Sequence, residues 1–308
     1  MFSADLKQYG PEAPPSKPPR PAEARRYCRR LATRHYENFT VASLLLPRRL
    51  RQHFFNVYAY CRWADDLGDE TGDRQQSLAL LQWWESQLHD CYAGRTTHPV
   101  FVALIETIRQ FDIPADPFLD LLVAFRRDQQ VTRYESFGQL LDYCRYSANP
   151  VGRLVLHLGK CCTGDLARLA DSICTGLQLA NFWQDVARDF DIGRIYLPQA
   201  DCRRFGYTES DFAARRCNDA FRRLLAEEVA RAEQWLRRGL PLVDLVPREL
   251  RLEVAVFVQG GLAVLDAIRR RGYDVWTYHP EVSKLNKVRL LAKCWWRLRR
   301  GTHTGGKP

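Results

Sequence analysis

The sequence predicts an all-α, single-domain fold, and three observations carry that expectation. Apolar positions return every three or four residues in 54–64, 76–92, 99–111, 117–125, 136–144, 151–159, 165–184, 211–238 and 249–271. Pro47, Pro99, Pro114, Pro117, Pro198, Pro241 and Pro247 fall between those segments, where they start or break helices. No alternating strand pattern of any length appears, and no repeat or internal linker divides the chain. The expected organisation is a Pro-rich leader over 1–22, a helical domain over 23–283 and a basic tail over 284–308.

Taken in order, the leader carries Pro11, Pro14, Pro15, Pro18, Pro19 and Pro21, a composition that predicts disorder. The segment Phe54-Phe-Asn-Val-Tyr-Ala-Tyr-Cys-Arg-Trp63 is nearly all apolar or aromatic and runs into Arg62-Trp-Ala-Asp65-Asp66-Leu-Gly-Asp69. Segment 76–92 contains His89-Asp90, which resembles a metal-phosphohydrolase dipeptide but has no supporting histidines around it. Segment 117–125 leads into Arg127-Asp128, and 136–144 with 151–159 flank Ala148-Asn149-Pro150. Segment 165–184 ends in Gln178-Leu-Ala-Asn181-Phe-Trp-Gln-Asp185-Val-Ala-Arg188-Asp189. Segments 211–238 and 249–271 complete the helical set.

The two acidic segments are the chemical core of the chain. At helical pitch Arg62, Asp65 and Asp69 share one face, as do Gln178, Asn181, Asp185 and Asp189. Like charges one turn apart repel. A lone Asp-x-x-x-Asp is usually a solvated face, but carboxylates on otherwise buried-looking helices are costly unless paired or metal-bound. Mg²⁺ supplies the missing charge and bridges one or two carboxylates to substrate phosphates. The pattern predicts a helical cavity with an acidic wall on each side, holding a diphosphate through magnesium. Loss of diphosphate leaves a carbocation, which needs cationic clamps and a dry, aromatic-lined chamber. Candidate clamps are Arg62, Arg188, Arg194 and Tyr196; the aromatic supply includes Phe39, Phe54, Phe55, Tyr58, Tyr60, Tyr143, Tyr146, Phe182 and Trp183.

Bulk properties bound the remaining possibilities. With 308 residues and 46% hydrophobic content, including eight Trp, the chain can bury a large core. The ten Cys are scattered without a C-x-x-C pair, and the N-terminus lacks a secretory apolar core, which predicts free thiols in a reducing cytoplasm. Val254 to Leu265 is far shorter than the ~20 residues a spanning helix needs. Net charge is +10, and after Glu281 no acidic residue occurs while Lys284, Lys287, Arg289, Lys293, Arg297, Arg299, Arg300 and Lys307 follow, with Trp295 and Trp296 among them. Such a tail suits a solubilising role, nucleic acid or an anionic bilayer surface; an apolar substrate favours peripheral attachment at the inner face of the membrane, with no nucleic-acid partner. None of the seven His has a Glu three positions before it, so a di-iron bundle is not indicated. Neither G-x-G-x-x-G nor a Walker loop is present.

These residues resemble a known family. Gln178-Leu-Ala-Asn-Phe-Trp-Gln-Asp-Val-Ala-Arg-Asp-Phe-Asp-Ile-Gly-Arg-Ile-Tyr-Leu-Pro198 is similar to the second signature of the squalene/phytoene synthases, and Tyr58-Ala-Tyr-Cys-Arg-Trp-Ala-Asp-Asp-Leu-Gly-Asp69 resembles their first acidic motif. The likeness runs from about His35 to about Tyr273. It implies an isoprenoid-synthase helical fold that ionises prenyl diphosphates with Mg²⁺ in head-to-head chemistry. Two departures narrow it: Asn38 stands where most relatives place a phosphate-contacting Ser, and Ala148-Asn149-Pro150 where they commonly read Ala-Gly. Both resemble the hydroxysqualene synthase branch of the bacterial squalene and hopanoid route. That branch takes presqualene diphosphate and captures the rearranged cation with water, without NADPH.

Carried over position by position, the resemblance implies that Asp65, Asp69, Asp185 and Asp189 are catalytic metal and diphosphate ligands, with Asn181 as a further metal ligand and Gln178 beside it. Arg62, Arg194 and Tyr196 match diphosphate-contacting positions, and His35, Asn38, Phe39, Asp128, Asn149 and Tyr273 join the substrate-binding set. Tyr143 matches a tyrosine beside the reacting carbons. An amide at Asn38 or Asn149 is a candidate holder of the attacking water. Functional pairing with the presqualene diphosphate synthase and a downstream reductase is implied as well. Two other readings stay open: a 1′-1 prenyltransferase condensing two farnesyl diphosphates to presqualene diphosphate, squalene or a carotenoid precursor, and a non-catalytic helical scaffold that docks to membranes.

Overall fold

The computed structural model describes residues 2–14, 17–34 and 46–300. Sixteen helices are found among them, with no strand beyond one isolated parallel bridge between Arg133 and Ile195. The chain forms two compact units: residues 1–130 with 153–162, and residues 131–152 with 163–308. These limits do not coincide with the expected 22/23 and 283/284 divisions, and the one at 152/153 falls inside the helix Asn149–Leu158.

In the first unit the chain forms α1 (Phe2–Tyr9), α2 (Pro21–Arg34), α3 (Arg48–Asp69), α4 (Arg74–Tyr92), α5 (Pro99–Phe111) and α6 (Asp116–Asp128), joined by the later part of α8 (Asn149–Leu158). The apolar stripe of α3 explains its position: Tyr60 and Trp63 are buried, Trp63 stacking on Trp84 of α4 at 5.3 Å and Tyr60 meeting Phe118 of α6 edge-on at 4.9 Å. Their polar ends are satisfied, since the Tyr60 hydroxyl donates to the Phe118 carbonyl at 3.0 Å and the Trp63 indole to the Tyr27 hydroxyl at 2.9 Å. Helix starts follow their caps. The Asp73 carboxylate accepts from the Gln75 and Gln76 amides, and His98 Nδ1 accepts from the Val100 amide ahead of a Pro99 that has no amide hydrogen to lose.

The expectation of a disordered leader is corrected here: residues 2–9 are helical. All six leader prolines lie beyond Tyr9, so nothing forbids a helix before them. Phe2 packs edge-on against Trp63 at 5.3 Å, Tyr9 against Tyr27 at 5.5 Å, and Asp5 accepts a 3.0 Å hydrogen bond from Tyr27. Tertiary contact with α3 and α2 supplies what so short a helix lacks alone.

In the second unit α7 (Phe137–Ser147), α9 (Gly164–Gln184), α10 (Val186–Asp191), α11 (Gln199–Phe205), α12 (Glu209–Ala213), α13 (Asp219–Gly239), α14 (Leu242–Leu245), α15 (Arg248–Arg270) and α16 (Lys284–Arg300) follow. Helix α9 packs against both α13 and α15, and three glycines make the approach close. A Cβ on Gly176 would stand 2.7 Å from Leu236 Cγ, one on Gly239 2.4 Å from Ile173 Cγ1, and one on Gly261 2.8 Å from Leu177 Cδ2. The expected helical segment 211–238 is split: Arg215 adopts φ 50, and the Asn218 side chain caps a new helix by accepting from the Phe221 amide. No described helix is long and apolar enough to cross a membrane.

Candidate active site

The first acidic motif occupies the last turns of α3. Its stripe brings three expected residues onto one helix, but their partners differ from expectation. Arg62 is held among carboxylates, 2.5 Å from Asp66, 3.3 Å from Asp65 and 3.6 Å from Glu70. Asp66 is buried, Asp65 partly so, and Asp69 is exposed. Burial is the largest influence on Asp66 and pushes its carboxyl up to about 6 against the pull of Arg62. The Gly68 carbonyl between Asp65 and Asp69 accepts from Ser77 Oγ and Gln129 Nε2, each at 3.0 Å. Gln129 follows Asp128, which ends α6, so the expected cavity acid is anchored next to this motif.

The second motif lies where α9 gives way to α10. Gln178 and Asn181 sit on α9, but Asp185 is its C-cap at φ −101°, so the expected stripe is not one uninterrupted helix. The hydrogen-bond pattern resumes beyond it, the Asp189 amide donating to the Asp185 carbonyl at 2.9 Å. Asp185 Oδ1 accepts from His279 Nε2 at 2.7 Å, and the adjacent Gln184 side chain donates to the Pro280 carbonyl at 2.5 Å. Those bonds draw the Asp185 side chain toward the segment before α16. Arg188, an expected clamp, is largely exposed and 3.3 Å from Asp185. Burial first, and the Asp185 charge second, push Asp189 up to about 7, with Arg194 and Arg188 opposing.

Around Asp189 a small pocket is lined by Phe182, Val186, Phe190, Arg194, Ile195, Tyr196, Leu197 and Phe212. It gathers three expected residues, Asp189, Arg194 and Tyr196. Tyr196 stacks on Phe182 at 3.8 Å and lies 6.0 Å from Tyr143, with Tyr134 5.4 Å from Tyr143 and 5.8 Å from Tyr196. Four aromatic rings thus back the pocket. Backbone bonds fix its floor, because the Ile195 amide donates to the Thr132 carbonyl at 2.8 Å and the Arg194 amide to the Asp189 carbonyl at 2.8 Å.

Other expected residues stand elsewhere. Asn149 is buried, and its Oδ1 accepts from Thr175 Oγ1 at 3.0 Å, one turn before Gln178. Tyr273 closes α15 with φ 63 after Gly272 and does not line the pocket. His35, Asn38 and Phe39 lie outside the described residues. The residues that sequence reasoning missed are His279, Gln129, Tyr134 and Asp66. Only Asp66, inside the motif itself, carried a local signal.

The donor set fits Mg²⁺. No group of three His, Cys, Asp or Glu side chains among the described residues closes a metal cage. Each motif instead offers oxygen donors in ones and twos, the set magnesium uses when water and substrate phosphate complete its shell. The half-buried, like-charged Asp185–Asp189 pair is a place where an added cation relieves repulsion.

Residues 32–288 match the family model described as squalene/phytoene synthase. Among solved structures, the chain is similar to squalene synthase HpnC from Alicyclobacillus acidocaldarius, with 48% identity, a TM-score of 0.79 and coverage of 82% of this chain and 96% of that one. It is also similar to a dehydrosqualene synthase in complex with ligand, at 27% identity and a TM-score of 0.82, covering 91% and 98% of the two chains. A curated phytoene synthase from Arthrospira platensis is 29% identical over 277 residues, 86% of this chain and 90% of that protein.

Proposed function

We propose that this chain, which belongs to the squalene/phytoene synthase family, is a hydroxysqualene synthase acting on presqualene diphosphate. The observation that carries the reading is the 48% identity to squalene synthase HpnC from Alicyclobacillus acidocaldarius over 82% of this chain. In the proposed reaction the carbon–oxygen bond to diphosphate breaks, the cation rearranges, and a water oxygen bonds to carbon as its proton leaves. No electrons enter from outside, so no NADPH is required.

Asp65 and Asp69 in one motif, and Asn181, Asp185 and Asp189 in the other, would hold Mg²⁺, which when bound neutralises the charge that develops on the departing diphosphate. Arg194 and Tyr196 contact phosphate oxygens from the pocket, with Arg62, Gln178 and Asp128 serving the same substrate. Tyr143, with Phe182 and Tyr196 packed about it, offers ring faces to the cation and keeps bulk water away. Asn149 Oδ1 keeps a second lone pair beyond its Thr175 bond and is assigned to the attacking water. The substrate and product are lipids, and we place the protein in the cytoplasm at the inner face of the membrane, working between a presqualene diphosphate synthase and a reductase.

A second reading, head-to-head condensation of two prenyl diphosphates such as farnesyl diphosphate, is favoured by the phytoene synthases among the curated relatives. Separate incubations with presqualene diphosphate and farnesyl diphosphate decide between them by mass spectrometry. Hydroxysqualene from the first and no product from the second is the expected result; presqualene diphosphate or another C30 condensation product from farnesyl diphosphate would overturn it. Unchanged hydroxysqualene yield in Asn149→Gly would remove the water-holding role.

A further inference from the structure

Helix α16 is buried on one side only. It packs on α15, with Cys294 at 5% exposure and Leu290, Leu291 and Leu298 partly covered. Its opposite side carries Leu285, Val288, Trp295 and Trp296 at 60%, 63%, 45% and 49% exposure. At ~100° per residue these four side chains fall within one sector of roughly 100°, so they form a continuous stripe and not scattered apolar residues. Exposed Arg289, Lys293 and Arg297 border it on one side, and Arg299 closes its C-terminal end, with the guanidinium 4.0 Å from the Trp295 ring centre. No carboxylate follows Glu281 to balance these cations.

A helix with an apolar, Trp-bearing stripe, cations beside it and too little length to span matches the interfacial type that lies in the plane of a bilayer. Its flanking Lys and Arg side chains can bury their stems and keep their charges at the headgroups. Each such cation is drawn to an anionic leaflet. A nucleic-acid groove, by contrast, would place cations at the centre of the footprint to meet phosphates. We propose that α16 is the docking element of this protein, seating Leu285, Val288, Trp295 and Trp296 in an anionic bilayer surface. This deepens the membrane-surface placement given above and rests on it.

The test uses the purified full-length chain with vesicles of phosphatidylcholine alone, or containing roughly one third phosphatidylglycerol, read by co-sedimentation and tryptophan fluorescence. Wild type is expected to bind the anionic vesicles at least ~10-fold more tightly than the neutral ones, with a blue-shifted emission. W295S/W296S should lose at least ~10-fold in binding to anionic vesicles while keeping its melting temperature and its turnover of detergent-dispersed substrate. R289Q/K293Q/R297Q should lose the preference for phosphatidylglycerol. Wild-type binding retained in W295S/W296S would overturn the assignment to α16 but leave the membrane placement intact. Failure of wild type to bind either vesicle would overturn both. Binding of single-stranded DNA that exceeds vesicle binding and vanishes in W295S/W296S would reassign the stripe and also overturn the proposal.

Discussion

The two acidic motifs share a composition and differ in how their charge is balanced. On α3, Arg62 lies within ion-pair reach of Asp65, Asp66 and Glu70, so the protein supplies its own counter-charge. At the α9–α10 junction Asp185 and Asp189 lean on each other, and Asp189 is pushed up to about 7 beside an aromatic pocket. The difference teaches that an Asp-x-x-x-Asp spacing does not by itself define a site's electrostatics. One motif shares a single guanidinium among three carboxylates, while the other sets Asp185 against Arg188 and His279 and leaves the half-buried Asp189 raised beside it, where an added cation would hold both carboxylates ionised.

The largest effect expected from this contrast is on turnover. Asp185→Asn should lower turnover of presqualene diphosphate roughly 10³-fold, the size of loss seen when a stabiliser of developing charge is removed. Its melting temperature in the absence of metal should change little, because relief of the like-charge pair offsets the weakened Arg188 and His279 contacts. A variant that melts earlier and turns over normally would reverse the picture.

Next comes the internal counter-charge. Arg62→Met strands a buried carboxylate and is expected to cost on the order of 3 kcal/mol in denaturant unfolding. Arg194→Met should leave stability nearly unchanged and raise KM instead. Equal stability losses in the two variants would erase the distinction between the motifs.

Buried titratable groups extend the comparison to the two units. Burial lowers His98, in the first unit, to about 3 and raises Glu253, in the second, to about 8. A depressed histidine gives stability that is complete above its ordinary 6.5 and is lost as pH falls toward 3. A raised carboxyl gives stability that is complete below 4.5 and is lost as pH rises through 8. Glu253→Gln should therefore gain on the order of 5 kcal/mol over wild type above pH 8 and little at pH 5. His98→Asn, which keeps a cap acceptor, should flatten the acid side of the profile. Denaturant titrations at pH 4, 5, 7 and 8.5 check both slopes.

The smallest effect concerns His279. Its bond to Asp185 holds one carboxylate oxygen in place, and outer partners of this kind tune metal affinity. His279→Ala should raise the Mg²⁺ concentration for half-maximal activity about 10-fold and weaken Mn²⁺ binding by calorimetry to a similar degree, with His279→Gln recovering part of it. Unaltered Mn²⁺ binding in His279→Ala would detach that residue from the site.

Much of this was legible in the chain. Segments 99–111 and 165–184 predicted helices that run Pro99–Phe111 and Gly164–Gln184, because Pro99 and Thr163 mark their starts. Asp189, Arg194 and Tyr196 were expected together and line one pocket, since a short segment carries all three. The leader helix was hidden by the prolines that follow it, which dominate composition without reaching residues 2–9. The break between α12 and α13 turns on the left-handed backbone of Arg215, a residue type with no preference for that conformation. His279 could not be singled out, since its meeting with Asp185 is made by the tertiary path of the chain across ninety-four positions and not by any local spacing.

The seam of Gly176, Gly239 and Gly261 has a consequence for how such a protein diversifies. Gly176 and Gly261 both abut Leu236, and Gly239 abuts Ile173 one turn from Gly176, so a methyl at any one of them intrudes on the space the others depend on. Substitutions at these positions are penalised by the same close approach, which keeps the helices beneath Asn181 and Asp185 at short range. Novelty in product would then arise among the aromatic rings and loops around the pocket, leaving an ancestral chassis nearly untouched.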